Sequence, residues 1–206
     1  MTTRIERDFS FQAGVYFKEN FLMNVYDISL YMEVDTDSIR EQNIAMERIK
    51  HFLSECLEHS VFVQDTEKKA IERFVTCGLK VCTLPEEPYD QIVTLMLLTK
   101  LNAITEGRIL INEITLGSRL SDQVKFSCDV ETHLGPFEDE GWWTCNSTSI
   151  MSLGKVQNKK DKIVKLIKPN VIDWNDFDLL WSDKDKKTKQ DPIRSEITFI
   201  SEHEKT

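Results

Sequence analysis

The chain has 206 residues, with 26 Lys and Arg against 35 Asp and Glu, so its formal net charge is −9. This acidic balance argues against a nucleic-acid binder and against a protein held on anionic lipids, because both need a basic face. Apolar residues make up 40% of the chain, which is enough for a hydrophobic core and too much for a wholly disordered protein.

The N-terminal residues lack the apolar segment of a signal peptide, and no apolar run approaches the roughly 20 residues of a transmembrane helix. The cysteines show no CxxC spacing and are odd in number, which favours reduced thiols over disulfides or a cysteine metal site. They are Cys56, Cys77, Cys82, Cys128 and Cys145. We therefore expect a cytoplasmic protein.

The first part of the chain predicts two strands and a helix. Residues 9–17 are rich in aromatics, and residues 25–34 alternate between apolar and polar, as in a half-buried strand. Ser38 and Glu41 fit a capping box that begins an amphipathic helix, and we expect this helix to end near His59.

The central part of the chain predicts a second helix and a hairpin. Residues 60–63 have β-like composition, and the stretch after them is ambiguous, fitting a short helix over 66–74 and a short strand over 79–84. A strongly apolar helix over 92–104 is followed by two strands around 108–116 and 124–130, separated by a turn.

The predicted order β-β-α-α-β-β gives an α+β domain over residues 1–135, with an antiparallel sheet and two helices on one face. Gly107 fits the C-cap of the apolar helix. Residues 136–206 form a C-terminal extension with a solvated, charged segment over 182–190. Trp142 and Trp143 fit one more short strand. We expect this pair and the cluster of Trp174, Phe177 and Trp181 to fold back with the C-terminal segment over the sheet or a neighbouring subunit, and the alternative is an aromatic interface with another partner.

Four short segments occur in an order that characterises one family. They are Phe9-Ser10-Phe11-Gln12-Ala13, Tyr26 to Val34, Leu57-Glu58-His59 and Asn112-Glu113-Ile114. In that order they resemble the opening strand, the strand after the H-G-H-N motif, the L-D-H motif and the strand glutamate of the 6-pyruvoyl-tetrahydropterin synthase family, which includes the carboxy-tetrahydropterin synthases. The resemblance covers residues 9–131 and implies the tunnelling fold, or T-fold. It also implies a homo-oligomer with a binding site between subunits.

The chain departs from that family at the metal site. The family binds zinc through three histidines, and the resemblance places Ala13, Leu22 and Asn24 at those positions. Alanine and leucine offer no donor atom, and none of the three can replace an imidazole as a tight zinc ligand. The family's nucleophilic cysteine precedes the second strand, where this chain has no cysteine. We therefore expect no metal and no cofactor, with the zinc chemistry lost.

The resemblance implies a ligand-binding role for Glu113 and a proton-relay role for His59. A carboxylate can accept two parallel N–H bonds from the edge of a pterin or guanine, and such charge-assisted bonds are about twice as strong as neutral ones. The alternative for Glu113 is a surface carboxylate that faces solvent, Arg108 or Lys125. The alternative for His59 is a helix-end histidine that interacts with the helix dipole. His51 is expected on the surface.

Three functional hypotheses remain open. The first is a T-fold protein that binds a pterin- or purine-like heterocycle at a subunit interface, with His59 as the catalytic candidate, assisted by Glu58 or Asp65, if any chemistry is retained. The second is a non-enzymatic, homo-oligomeric structural or interaction protein that keeps only the fold. The third is an unrelated α+β domain, for which the family resemblance is accidental.

Overall fold

The computed structural model describes residues 3–122, 124–151 and 174–182. Its strands and helices are, in chain order, β1 (Thr3–Phe17), β2 (Asn20–Val34), α1 (Ile39–His51), β3 (Ser60–Gln64), α2 (Lys68–Thr76), β4 (Lys80–Leu84), α3 (Asp90–Thr105), β5 (Ile109–Ser118) and β6 (Lys125–Asp129). A π-helical segment, Phe52–Leu57, continues α1. These elements confirm the predicted α+β class. None of the described helices is long and apolar enough to cross a bilayer.

The strands form one six-stranded sheet in the order β4-β3-β1-β2-β5-β6. The four strands β1, β2, β5 and β6 pair with one another in antiparallel fashion, as predicted. Strands β3 and β4 extend the sheet by parallel pairing, and β3 meets β1 only at Gly14 and Val15. The ambiguous stretch therefore contains both the helix and the strand that its sequence fitted.

The main core lies on one face of the sheet, under α1, the π-helical segment and α3. Alternation along β2 turns its apolar residues to this face, where Tyr26, Ile28, Leu30 and Met32 are buried. Helix α3 contacts both α1 and β5, as expected for two helices on one face. Each fully buried apolar side chain of this size contributes about 1.5–3 kcal/mol relative to an exposed one.

The opposite face of the sheet is covered only in part. Helix α2 packs over β3 and β4, where Val61, Val63, Ala70 and Val81 form a second, small core. The same face of β1, β2, β5 and β6 carries mostly polar side chains, and we call it the polar face. This division places the candidate site residues on an open surface.

Two helix termini lie at or next to the residues that carry the capping signals. Ser38 caps α1, and its hydroxyl accepts a hydrogen bond from the Glu41 main-chain N–H at 3.3 Å. The C-cap of α3 is Glu106, one residue before the predicted Gly107, and both residues have left-handed conformations (φ 48° and φ 77°). The Glu106 carboxylate is held by Arg48 and Asn146, and these bonds favour the unusual conformation.

The C-terminal extension contributes to the main core. Trp142 and Trp143 lie in a 3-10 turn, and not in the additional short strand that their sequence suggested. Both are buried in the main core, together with Trp174 and Trp181. Most of the charged segment predicted over 182–190 lies outside the described residues.

Candidate functional site

The polar face carries side chains in rows that cross four strands in register. The rows are Glu6, Tyr31, Glu113 and Asp129; Asp8, Ser29, Thr115 and Ser127; and Ser10, Asp27, Gly117 and Lys125. The first row, which we call the Glu113 row, contains three carboxylates. Side chains directly opposite each other on neighbouring strands lie close enough to interact, so this row creates a negative potential.

A β-bulge puts Glu113 on the polar face. Residue Ile111 pairs with Met32 and points into the core, whereas Glu113 pairs with Tyr31. Asn112 is the extra residue between them, and its main-chain oxygen accepts a hydrogen bond from Val130 N–H at 3.0 Å. Strict alternation along β5 would have turned Glu113 to the same side as Ile111, because successive side chains point to opposite faces.

The Glu113 carboxylate is half-buried and, among the described residues, has no hydrogen bond or ion pair. The two basic residues considered as partners lie elsewhere. Arg108 Nε is 3.5 Å from a carboxylate oxygen of Glu41, and Lys125 pairs with Gly117 further along β5. The nearest charged neighbour of Glu113 in register is Asp129, which also carries a negative charge. The carboxylate is therefore available to N–H donors from outside the chain.

Tyr31 separates Glu113 from Glu6 within the row. Its side chain hydrogen-bonds to Glu6, and this bond, followed by the negative charges of Glu6 and Glu113, raises the pKa of the Tyr31 hydroxyl. The phenol therefore stays protonated and donates to Glu6. This leaves Glu113 as the acceptor in the row that no described donor occupies.

A shallow cleft of about 420 Å³ lies beside the Glu113 row, over the two other rows. Its polar lining is partly paired internally, since Ser29 Oγ donates to Asp8 Oδ1 at 2.6 Å. Thr115 lines the cleft, and its Oγ1 lies 2.7 Å from Ser127 Oγ. Lys125 is the basic residue of the lining. The cleft has room for a small molecule, and its acidic and hydroxyl groups favour a polar one.

His59 lies at a different part of the sheet. Its side chain is 70% exposed, with Nε2 3.6 Å from Glu58 Oε1, and its main-chain N–H donates to Gln12 O at 2.7 Å. Asp65, the other assisting residue considered, follows the opposite end of β3. Gln12 lies six positions along β1 from Glu6 in the Glu113 row, which corresponds to roughly 20 Å along the strand. One chain therefore does not bring His59 and Glu113 together.

The three positions assigned to the zinc histidines lie on neighbouring strands. Ala13 is fully buried opposite Asn24, and Leu22 lies opposite Val15. The Asn24 side-chain oxygen accepts hydrogen bonds from the N–H groups of Val25, at 2.9 Å, and Leu120, at 3.2 Å. It is therefore engaged in fixing the backbone. Within the described ranges, no group of three or more His, Cys, Asp or Glu side chains is arranged to hold a metal ion.

Two buried basic residues were not identified from the sequence. Lys100 is fully buried on α3, and its Nζ donates to the main-chain oxygens of Trp142 at 2.8 Å and Cys145 at 2.7 Å. Burial lowers the pKa of Lys100 to about 8. Arg48 is fully buried on α1. The sequence feature that could have revealed them is a basic residue on the apolar side of each helix. Such a position is informative because lysine and arginine are almost never fully buried unless they are paired.

Comparison with solved structures finds likenesses at low sequence identity. An uncharacterized protein from Wolinella succinogenes matches with a TM-score of 0.47 and 10% identity, over 64% of this chain and 99% of its own. A 6-pyruvoyltetrahydropterin synthase mutant from Plasmodium vivax matches with a TM-score of 0.39 and 11% identity, over 63% of this chain and 99% of its own. The enzyme of the same name from Plasmodium falciparum gives 0.40 and 13%, over 63% and 99%.

No family model and no curated protein sequence matches this chain. The structural likenesses have TM-scores below 0.5 and identities of 10–13%, so they carry no argument about function.

Proposed function

We propose that this chain is a T-fold protein of the cytoplasm that binds a pterin- or purine-like heterocycle through the Glu113 carboxylate. The observation that carries the proposal is a half-buried carboxylate, on an uncovered polar face, that no described residue pairs with. Such a group accepts two parallel N–H bonds from the amino and ring N–H groups of a pterin or guanine. The adjoining carboxylates of Glu6 and Asp129 favour a ligand edge rich in donors.

A second copy of the chain would complete this site. In the described residues, the first part of β1 pairs only with β2, and β6 pairs only with β5. Open edge strands offer unpaired N–H and C=O groups for pairing with another chain. Glu6 on β1 and Asp129 on β6 end the Glu113 row at these two edges. A second copy is also required for any proton relay by His59, because the same chain holds His59 too far from Glu113.

Native mass spectrometry of freshly purified protein, followed by denaturing analysis of released molecules, tests the proposal. We expect a symmetric oligomer that carries a pterin- or purine-sized ligand. Isothermal titration with pterin and with guanosine then compares wild type with Glu113→Gln, which keeps the shape and removes the charge. The loss of a charge-assisted hydrogen bond predicts roughly 10- to 100-fold weaker binding.

Glu33→Gln is the matched control, because Glu33 lies on the same face and its carboxylate is paired with Arg4 at 3.2 Å. This variant should bind as wild type does. Equal binding by wild type and Glu113→Gln would overturn the proposed role of Glu113. An empty monomer in native mass spectrometry would count against both the site and the assembly.

The second candidate function is a homo-oligomeric structural or interaction protein without enzyme activity. The environment of Asn24 favours it, since the amide oxygen at one of the zinc positions is used to fix two main-chain N–H groups. An empty symmetric oligomer that binds neither pterin nor guanosine would support this candidate over the first.

A further inference from the structure

Residues 174–182, which we call the strap, lie on a surface formed by the C-terminal ends of α1 and α3. This surface, which we call the strap site, comprises Arg48, His51, Glu106, Arg108 and Asn146. Residues 152–173 join the strap to the rest of the chain. The strap therefore reaches the strap site from a distant part of the sequence.

Trp181 is the main anchor of the strap. It is fully buried, and its ring lies between two guanidinium groups, with the central carbon of Arg48 at 3.9 Å and that of Arg108 at 4.5 Å from the ring centroid. Cation–π contacts of this kind contribute about 2 kcal/mol or more when they are removed from water. The strap site thus recognises an aromatic ring at this position.

Trp174 is the second anchor, seven residues before the first. Arg48 lies 4.8 Å from its ring, and its indole N–H donates to the main-chain oxygen of Asn146. Phe177, between the two tryptophans, packs against the His51 ring with centroids 4.1 Å apart and the ring planes tilted by 47°. These contacts define a Trp-x6-Trp pattern with an aromatic residue in the middle.

Arg48 also donates hydrogen bonds to the main chain of the strap. Its Nε and Nη2 donate to Leu179 O at 2.9 and 2.7 Å, while Nη1 donates to Glu106 Oε1 at 3.0 Å. The strap contains two aspartates and no basic residue, so its charge complements the two arginines. Its own main chain forms a turn closed by Leu179 N–H donating to Trp174 O at 3.0 Å, and the described residues show it in no strand pairing.

Trp174 and Trp181 belong to the main core, but their immediate surroundings have the composition of a binding interface, because Arg48 and Arg108 lie over the rings. Tryptophan and arginine dominate the energetics of protein interfaces. Opening an apolar core exposes groups that water solvates poorly. Release of the strap would instead expose the guanidinium groups of Arg48 and Arg108, which water solvates favourably. That gain would offset part of the contact energy lost on release. Residues 152–173 connect the strap covalently to the rest of the chain, and we call them the tether; a strap released from its site would therefore stay at high local concentration.

We propose that the strap is a peptide ligand carried on its own tether and bound reversibly in the strap site. The strap site is then a peptide-recognition surface for a short acidic turn with the Trp-x6-Trp pattern. In this chain its occupant is residues 174–182. A partner protein would have to present the same pattern to displace it. This inference is independent of the function proposed for Glu113.

The test cuts the tether of the full-length protein. A recognition sequence for a site-specific protease replaces residues 158–164, and the purified protein is cleaved. A fluorescein-labelled peptide of residues 172–183 is then added, and its binding is followed by fluorescence anisotropy. We expect the cleaved protein to release its strap on dilution and to take up the labelled peptide. The uncleaved protein should take up much less, because its tethered strap competes.

Peptide and protein variants establish specificity. A peptide with Trp181→Ala should bind roughly tenfold or more weakly, and this comparison needs no change in the protein. Arg48→Met in the cleaved protein should weaken binding similarly, whereas Lys50→Met, an exposed basic residue of the same helix, should not. Failure of the cleaved protein to take up the peptide would overturn the proposal, as would equal binding of the wild-type and Trp181→Ala peptides.

Discussion

The Nζ of Lys100 lies 2.8 Å from the main-chain oxygen of Trp142, in the interior of the protein. A second bond, to Cys145 O at 2.7 Å, joins the same amine to the same turn. The neutral amine has two N–H donors, which match these two oxygens. The contact therefore attaches the C-terminal extension to α3 whether or not the lysine is charged, but burial disfavours the charged form.

The first prediction concerns the pH dependence of stability. Because burial lowers the pKa of Lys100 from 10.5 to about 8, the unfolded chain holds this proton between those pH values and the folded chain releases it. The free energy of unfolding should therefore rise with pH above 8, by up to about 1.4 kcal/mol per pH unit, relative to Lys100→Met. Urea unfolding at pH 7 to 9 under reducing conditions measures this difference.

Lys100→Met also removes the donor to two buried main-chain oxygens, but that cost does not vary with pH. The two stability curves should therefore be offset but parallel below pH 7, and the difference between them should grow above pH 8. Curves that stay parallel up to pH 9 would show that the folded chain keeps the Lys100 proton.

The buried cations mark where sequence interpretation reaches its limit. The alternation of β2, the cap at Ser38 and the apolar helix α3 are local patterns, and each predicted its element. The pairing of β3 with β1 involves only two residue pairs and has no local signal. The sequence analysis assigned no role to Lys100 or Arg48, because the oxygens that they bind come from distant segments of the chain.

The candidate site shows the same limit at a single residue. The segment Asn112-Glu113-Ile114 suggested a strand glutamate, and the structure does place Glu113 in β5. The face of the sheet on which the Glu113 side chain lies depends on the bulge at Asn112. The sequence does not predict this bulge, because asparagine occurs in many turns and strands without one. The binding role of Glu113 and the relay role of His59 remain predictions.

A second prediction concerns the tight contact between β1 and the tip of its hairpin with β2. A Cβ placed on Gly14 would lie 2.5 Å from Cε2 of Phe21, whose ring packs 5.7 Å from that of Phe74. Phe21 is 46% exposed and the close atom lies at the far end of its side chain, so Gly14→Ala should displace the ring at a cost of about 1 kcal/mol or less in the free energy of unfolding. The same substitution in a Phe21→Ala background should cost less. Additive effects in this double-mutant cycle would contradict the contact.

A third prediction tests the electrostatics of the Glu113 row. Glu6 raises the pKa of Tyr31 by accepting its hydrogen bond and by its charge, and Glu113 adds a smaller effect through charge alone. Glu6→Gln should therefore lower the Tyr31 pKa toward 10, and Glu113→Gln should lower it less. NMR titration of ¹³C-labelled tyrosine rings resolves the individual residues. A larger effect of Glu113→Gln than of Glu6→Gln would mean that the Tyr31 hydroxyl donates to Glu113.

The last prediction concerns acid release of the strap. Burial under the strap lowers the pKa of His51 below its ordinary value of 6.5, and the nearby carboxylate of Glu55 opposes this shift only in part. Protonation therefore favours the released state. The contribution of neutral His51 to docking is full above pH 6.5 and is lost as the pH falls through the lowered value.

The affinity of the labelled peptide of residues 172–183 for the cleaved protein should accordingly fall between pH 7 and pH 5. In His51→Phe, which keeps a ring under Phe177 and removes the titrating group, this part of the pH dependence should disappear. Arg48 stays charged throughout this range, so its bonds to Leu179 O do not contribute to the change. An identical pH dependence in the two proteins would assign the effect to another group, such as the aspartates of the strap.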